Sequence, residues 1–450
     1  MAIKTSRVSR PSKPRLLLFG FGDFAFNLYW QSVMLFLLFY YTDLVSLPIA
    51  VAATTYGIAS VWDGVANFLA GILVDRQQAK IRYGAVIATG GIPLGLTFVL
   101  AYLPPLGTGF WAVAAVFLAH LLFRSAYAAV NVPYLAMSAR VSPDASDRAF
   151  VAGARMLFGT AASVVVALGT VPIGHWLTGS TAAQAYFGAA VVFAIVASAI
   201  LGLVGITYRD LGQIDRPPPT SLKAALLSLA RNRAFVALNA AMLLMIVAVT
   251  FLGKSVLYYF KYLLRDPAAG QLALASMGAV SAIAIPLWMV VGRYLGLRTL
   301  WLVATGLAMF ALAVFAVVHV ATPFGMQAFL VITQTIIVGL HFTFWAMLPN
   351  TIEYGELETG LHVEGAVFGV AALLQRIGIG IATAILGWTF ASAGYVANTQ
   401  QSADMLATMR NTVAFVPMFF LALSAIAMLF SPFRRGTHNQ IMRELAGKAA

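Results

Sequence analysis

Residues 16–42 read LLLFGFGDFAFNLYWQSVMLFLLFYYT, an apolar run with one charge, Asp23. A helix needs about 20 mostly apolar residues to span a membrane, and one that is apolar all round belongs in a core or a bilayer. The preceding MAIKTSRVSRPSKPR is basic, as the start of a signal peptide is. The apolar run, however, far outlasts the ~7–15 residues of a signal core, and no small-residue cleavage site closes it. It reads as a first transmembrane helix that stays in the protein.

Eleven similar segments follow, near 48–74, 83–104, 109–138, 149–176, 184–208, 234–264, 271–292, 299–320, 325–349, 365–393 and 412–431, separated by breaks such as LPPLGTG, ATPFG and RDPAAG. The composition agrees with twelve spans. Of the 450 residues 61% are hydrophobic and 10% charged, against about 45–50% and about 25% in soluble domains. This excludes a soluble enzyme. The absence of cysteine excludes disulfides, thiolate zinc sites and Cys nucleophiles.

The longest polar stretch, 209–233, joins the sixth and seventh segments and divides the chain into 1–208 and 234–450, six helices each. Within it Ser221 suits a cap, and Leu222, Leu226 and Leu229 share one face of a short amphipathic helix at the membrane surface. The net charge of +13 would suggest nucleic acid in a soluble protein. Here it follows topology instead. With both termini in the cytoplasm, 21 of the 28 Lys and Arg fall on cytoplasmic ends and loops, as the positive-inside rule requires. Three (Lys261, Arg265, Arg410) fall near outer loops and four lie inside helices. The halves also echo one another: GILVDRQQAKIR after the second helix and VGRYLGLR after the eighth place a Gly and basic residues at corresponding turns, as internal repeats do in secondary transporters.

An ionisable side chain at bilayer depth costs at least ~2.5–3.5 kcal/mol and usually faces a cavity and a partner. Six stand out: Asp23, Asp63, Arg124, Arg155, Lys254 and Arg376. His120, Arg124, Tyr127 and Asn131 recur at steps of four, three and four, one stripe of one helix. Ser60, Asp63 and Asn67 repeat the pattern, as do Asp23, Asn27 and Trp30 or Gln31. Interhelical hydrogen bonding explains single Ser or Asn residues; it explains a stripe containing Arg poorly, and a water-filled cavity accounts for it better. Four cations against two carboxylates leave two positive charges over even with complete pairing, which favours an anionic ligand. Tyr127, Trp30 and Trp345 offer apolar faces of the kind sugar rings pack on.

The tracts GFGDFAFNLYWQ and FLLFYYTDLVSL, VWDGVANFLAGILVDR, NVPYLAMSA and IEYGELETGLHVEGAVFG resemble the glycoside–pentoside–hexuronide cation symporters, a melibiose-permease-like family of the major facilitator superfamily. The resemblance covers nearly the whole chain. It implies an all-α fold of two six-helix bundles. Asp23 then binds sugar hydroxyls with help from Arg155, and Tyr127 lies in the same pocket. Asp63 holds the coupling cation, and Arg376 stands where the family has a lysine of the cation site. Two carboxylates of that site are Asn67 and Asn131 here, and a pocket tryptophan is Leu135.

Hard cations want several oxygen ligands with charge, so these replacements favour a proton on Asp63 over Na⁺, with Na⁺ use or uncoupled transport left open. Arginines do not release a proton in this range, whereas a desolvated lysine such as Lys254 does. Fewer pocket carboxylates and the added Arg124 favour a hexuronide or sulfonated sugar. A cytoplasmic gate is a further expectation: Glu353, Glu356, Glu358 and Glu364 in one half face Arg140 and Arg148 of the corresponding loop in the other. The competing account is a solvated loop in which exposed pairs contribute ~0–1 kcal/mol.

The chain therefore reads as a proton-coupled symporter of a sugar or sugar acid working by alternating access. The substrate contacts expected are Asp23, Arg124, Tyr127, Asn131, Arg155 and Lys254; the ion site is Asp63, Asn67 and Arg376. No cofactor or nucleic-acid partner is expected, and the protein is taken as a monomer of the bacterial inner membrane. One rival is a carrier of lysophospholipids or other amphipathic anions, with Lys254 and Arg124 anchoring the phosphate. A membrane-embedded enzyme is the rival from another class; no HExxH and no acid pair with a nucleophile supports it.

Overall fold

The computed structural model describes residues 11–76, 82–105, 107, 109–138, 141–142, 145–208, 221–318, 320–361, 363–434, 440 and 443–444. Among them the regular structure is helical, without strands. Inside hydrocarbon every backbone N–H and C=O must bond within its own segment, and only a helix or a closed barrel achieves this. The helices are α1 Lys13–Ser32, α2 Ile49–Arg76, α3 Tyr83–Ala101, α4 Phe110–Ser138, α5 Ala145–Thr178, α6 Ala183–Thr207, α7 Leu222–Arg231, α8 Arg233–Tyr258, α9 Pro267–Leu295, α10 Leu297–Val317, α11 Pro323–Met347, α12 Asn350–Thr359, α13 Glu364–Ser392 and α14 Ala403–Leu429. Every segment expected to span is helical, and among the described residues 11 helical stretches are long and apolar enough to cross a membrane.

Among the described residues, those within Met1–Met34 and Leu69–Arg216 form one compact unit, and those within Leu35–Phe68 and Pro217–Ala450 form another. The division cuts through two continuous helices rather than falling in a loop. In the first unit α3 packs on α4 and α6, and α1 on α5 and α6. Aromatic rings fill the seams: Tyr29 meets Phe98 edge-on at 4.8 Å, and Phe19 stacks on Tyr134 at 4.7 Å. Their hydroxyls are satisfied as burial demands, with Tyr134 donating to the Phe19 carbonyl at 2.7 Å and Tyr29 to that of Ala194 at 3.3 Å.

In the second unit α8 is the central helix, packed on α13 and α14. Its start is fixed by Asn232, whose side chain accepts from Phe235 N–H at 2.9 Å and donates to the Thr351 carbonyl of α12 at 2.7 Å. The surface helix expected after the polar linker is α7. Ser221 Oγ accepts from Ala224 N–H at 3.3 Å, closing its first turn. Leu222 and Leu226 are exposed while Leu229 is buried, so the apolar face is split between an exposed end and a packed one. Residues 209–220 of the linker lie outside the described residues.

The ends of α1 and α8 are built alike. Each continues as a π-helical turn, Tyr40–Leu44 after α1 (with a further one at Val33–Leu37) and Tyr259–Leu263 after α8. Each closes with the same wide hydrogen bonds: Val45 to Tyr40 and Leu47 to Tyr41 in one, Leu264 to Tyr259 and Asp266 to Phe260 in the other. A left-handed non-glycine residue follows in both, Ser46 at φ 62° and Arg265 at φ 56°.

Candidate functional site

In the first unit Asp23 and Arg155 meet. One carboxylate oxygen of Asp23 accepts from Arg155 Nε at 3.1 Å and from its terminal nitrogen at 3.0 Å. The other accepts from Asn27 Nδ2 at 3.2 Å, one turn along the same helix. The Arg155 guanidinium lies 5.3 Å from the Tyr134 ring centroid. Close approach of α5 is possible because residue 159 is glycine: a Cβ there would stand 3.1 Å from Asn27 Nδ2 and 3.3 Å from the Asp23 carboxylate.

Arg124 is 1% exposed, and its Nε donates to His120 Nε2 at 3.2 Å. That bond assigns the imidazole as an acceptor at Nε2, so it orients the guanidinium without neutralising it. The guanidinium sits 4.9 Å from the Trp30 ring centroid, a cation–π contact that strengthens on desolvation. Trp30 is in turn 5.9 Å from Tyr127. Asn131 lies buried on the same stripe, whereas Leu135 is exposed. Trp345, offered above as a sugar-stacking face, is half exposed on α11.

In the second unit Arg376 Nε lies 2.8 Å from the Asp63 carboxylate, whose side chain is fully buried. Asn67 Nδ2 reaches the other Asp63 oxygen at 3.2 Å, again one turn along. Asn67 therefore serves Asp63 as Asn27 serves Asp23. Lys254 is buried with its amine 3.7 Å from the Tyr56 ring centroid. Asp63, Arg376 and Lys254 thus belong to one unit, and Asp23, Arg124 and Arg155 to the other.

Of the expected gate residues, Arg140 lies outside the described residues. Arg148 donates to the Ser142 carbonyl at 3.0 Å, beside a buried Asp147 that accepts from Lys13 at 3.0 Å and Ser142 at 2.9 Å. Glu353 is half-buried at the start of α12, with one carboxylate oxygen that has no hydrogen-bond partner among the described residues.

One cluster escaped the sequence reading. Asp43, at the end of the first helix, is buried and accepts from four groups: Thr42 at 2.7 Å, Lys261 at 2.6 Å, Tyr262 at 2.5 Å and Tyr395 at 2.6 Å. Asn398 donates to the Asp43 carbonyl at 2.7 Å and accepts from Lys261 at 2.6 Å. Burial, the nearby Tyr258 and the Asp43 carboxylate hold the Tyr395 hydroxyl well above the ordinary tyrosine value, so it remains a donor. The available signal was YYTD in one half and YYFKY in the other, but Asp43 and Tyr395 are 352 positions apart.

Ion pairs and amide-supported carboxylates set inside apolar helices are the arrangement of a membrane transporter of a small organic solute. The chain belongs to the MFS/sugar transport protein family, whose model matches residues 18–435. It is 25% identical to the inner membrane symporter YicJ of Escherichia coli (strain K12), over 95% of this chain and 94% of that one. It is 26% identical to the glucuronide carrier protein homolog of the same organism, over 95% and 94%. The crystal structure of the nucleoside transporter NupG shares the fold, with a TM-score of 0.64, 17% identity and coverage of 94% of this chain and 99% of that chain.

Proposed function

We propose that the protein is a symporter of the glycoside–pentoside–hexuronide type, with twelve spans in two six-helix bundles and α1 with its π turns as the first span. It carries an anionic sugar, a hexuronide or sulfonated sugar, across the bacterial inner membrane by alternating access. The observation that carries the reading is the disposition of the intramembrane charges. Asp23 holds Arg155 and Asp63 holds Arg376, so both carboxylates are engaged while four cations stand against two acids. The glucuronide carrier protein homolog among the relatives, named for an acidic sugar, agrees in chemistry.

In this reading Asp23, Arg124, Tyr127, Asn131, Arg155 and Lys254 are the substrate contacts. Asp63 carries the proton, supported by Asn67, and protonation releases Arg376. A ligand drives a conformational shift only through different affinities for the two states, and a neutralised Asp63 supplies such a difference. Arg140 and Arg148 with Glu353 and Glu356 form the cytoplasmic gate, and the protein works as a monomer without a cofactor.

A thermal-stability screen of the purified protein against glucuronides, sulfonated sugars, neutral glycosides and lysolipids tests the substrate class. Stabilisation by neutral glycosides alone refutes the anionic reading. Uptake by Asp63→Asn in proteoliposomes tests the coupling; an unchanged response to an imposed pH gradient excludes Asp63. A second reading, a carrier of amphipathic anions, draws on an apolar groove of about 480 Å³ lined by Gly57, Ile58, Val61, Trp62, Gly380 and Ile381, on the two helices that bear Asp63 and Arg376. Competition by lysolipids and not by sugars selects it.

A further inference from the structure

The second helix, α2, has two dissimilar faces. Tyr56, Ser60, Asp63 and Asn67 recur at steps of four, three and four on one of them. Thr54, Ile58, Val61 and Val65 recur at the same steps two residues earlier, which sets them about 200° round the helix. This second stripe carries no charge. Its one hydroxyl, that of Thr54, donates to the Ala50 carbonyl of its own helix at 2.7 Å.

Where this face meets α13 it forms the groove of about 480 Å³ described above, with Gly380, Ile381 and Ala384 on the far side. All of its lining belongs to the second unit. The floor is glycine. A Cβ at residue 380 would stand 2.9 Å from the Gly57 carbonyl oxygen, and one at residue 57 would stand 3.3 Å from that of Gly380. The seam stays tight on either side, at Gly387, where a Cβ would collide with that of Ala53, and at Gly64, where one would stand 2.6 Å from a Leu373 methyl. The backbones touch, and Ile58, Val61, Trp62 and Ile381, all exposed, wall the groove without filling it.

Residues 54–65 and 380–384 fall in the middle parts of the spans Ile49–Leu73 and Glu364–Ser392, so the groove opens to hydrocarbon. A void there forfeits the dispersion contacts of its lining, and its volume lies within the ~300–1,000 Å³ of small-molecule sites. The lining holds no charged residue. A helix of a second copy, ~10–12 Å across with its side chains, is too broad to reach a floor of two glycines; an unbranched methylene chain is narrow enough. Between apolar surfaces in a bilayer packing decides association, and a chain in the groove is touched by floor and both walls, where one on a flat helix face is touched on one side. We propose that the groove holds one acyl chain of a resident phospholipid, which fills the seam between α2 and α13 and stays with the protein. The inference rests on the chain spanning a membrane and not on which solute it carries; the lipid is a structural ligand and not cargo.

Trp62 stands in the groove and reports its occupant. Its emission, taken as the difference between wild type and Trp62→Phe, is followed while phosphatidylcholine with brominated acyl chains is titrated into the delipidated full chain in detergent. Half-quenching is expected near equimolar lipid. Trp388, exposed on the same helix but outside the groove, is read in the same way and should need at least about ten-fold more lipid. Ala384→Phe puts a ring into the groove from an exposed position; it should raise the lipid needed at Trp62 about ten-fold and leave Trp388 unchanged. Trp62 and Trp388 quenched in parallel, or Trp62 not quenched at all, makes the groove ordinary bilayer surface and overturns the inference.

Mass spectrometry of the intact protein released from detergent keeps the inference testable should Ala384→Phe not fold. Wild type purified from membranes should retain one phospholipid through a delipidation that removes the rest, and Thr54→Phe, which closes the groove from its other wall, should lose it. Retention of none, or of the same lipid by both chains, refutes a seated acyl chain. A lysolipid that displaces the bound lipid and then appears on the far side of a vesicle makes the groove a transport path; the carrier reading then stands and the resident lipid falls.

Discussion

Replacing Arg376 by Met removes the guanidinium from a carboxylate that is fully buried and 2.8 Å away. At an effective dielectric of about 20, two unit charges at that separation attract by about 6 kcal/mol. Breaking a buried pair typically costs ~3–5 kcal/mol, because the remaining charge is left in a medium that solvates it badly. Two features place this case at the low end. The Arg376 side chain is 22% exposed, and the Asn67 amide stays on the Asp63 carboxylate. Arg376→Met should therefore lower unfolding stability by about 3 kcal/mol. Asp63→Asn in the same chain removes the stranded charge and should recover about 2 kcal/mol of it. The assay is chemical unfolding in mixed micelles on wild type, both single variants and the double variant. A coupling energy below about 0.5 kcal/mol, the scatter of independent sites, refutes the claim that the two groups are desolvated as a pair.

Gly64→Ala places a Cβ 2.6 Å from a Leu373 methyl and 3.1 Å from Arg376 Cβ; the overpacking should cost ~1–3 kcal/mol and lower transport more than folding, read as uptake per folded molecule. His120→Phe frees Arg124 Nε and should raise KM for an acidic sugar at least ~10-fold with little change in kcat, and His120→Gln, which retains an acceptor, should restore it; equal losses for acidic and neutral sugars would count against an orienting role. Tyr395 has a raised pKa, so its contribution to stability is complete below the ordinary tyrosine value of about 10 and is lost as the pH rises beyond it toward the raised one. Thermal unfolding followed from neutral pH to about pH 11 should show that decline in wild type and a shallower one in Tyr395→Phe. Charge reversal at Arg140 together with Glu353 should restore transport lost by either reversal alone; additive losses rule out the gate.

Much of the fold was legible because hydrophobic runs of membrane length leave few alternatives. The intramembrane charges were legible for the same reason, each standing out against an apolar background. Spacing within a helix also carried real information. The steps from Asp23 to Asn27, Asp63 to Asn67 and His120 to Arg124 are all four residues, and each is a side-chain hydrogen bond in the structure.

What lies across from a helix was not legible. No periodicity links Asp43 to Lys261, Tyr395 and Asn398, and charges near helix ends look like ordinary loop residues. Lys261 was counted with the outer loops on that ground, whereas its amine bonds a buried carboxylate. The matching π turns were hidden too, since their signature is a hydrogen-bond pattern and not a residue type.

The amide that follows each buried aspartate by one turn bears on how the protein is made. Asp23 reaches the bilayer long before Arg155, 132 residues later in the chain, has been synthesised. Until then Asn27, which donates to both the Asp23 carbonyl and its carboxylate, gives the acid a donor from within its own helix. Asn67 does the same for Asp63 while Arg376 is still to come. Each acidic helix thus enters the membrane carrying part of its own solvation, which lowers the barrier that an isolated carboxylate raises to insertion. Asn27→Ala and Asn67→Ala should accordingly reduce insertion of the isolated first and second helices, while leaving that of helices without an acid unchanged.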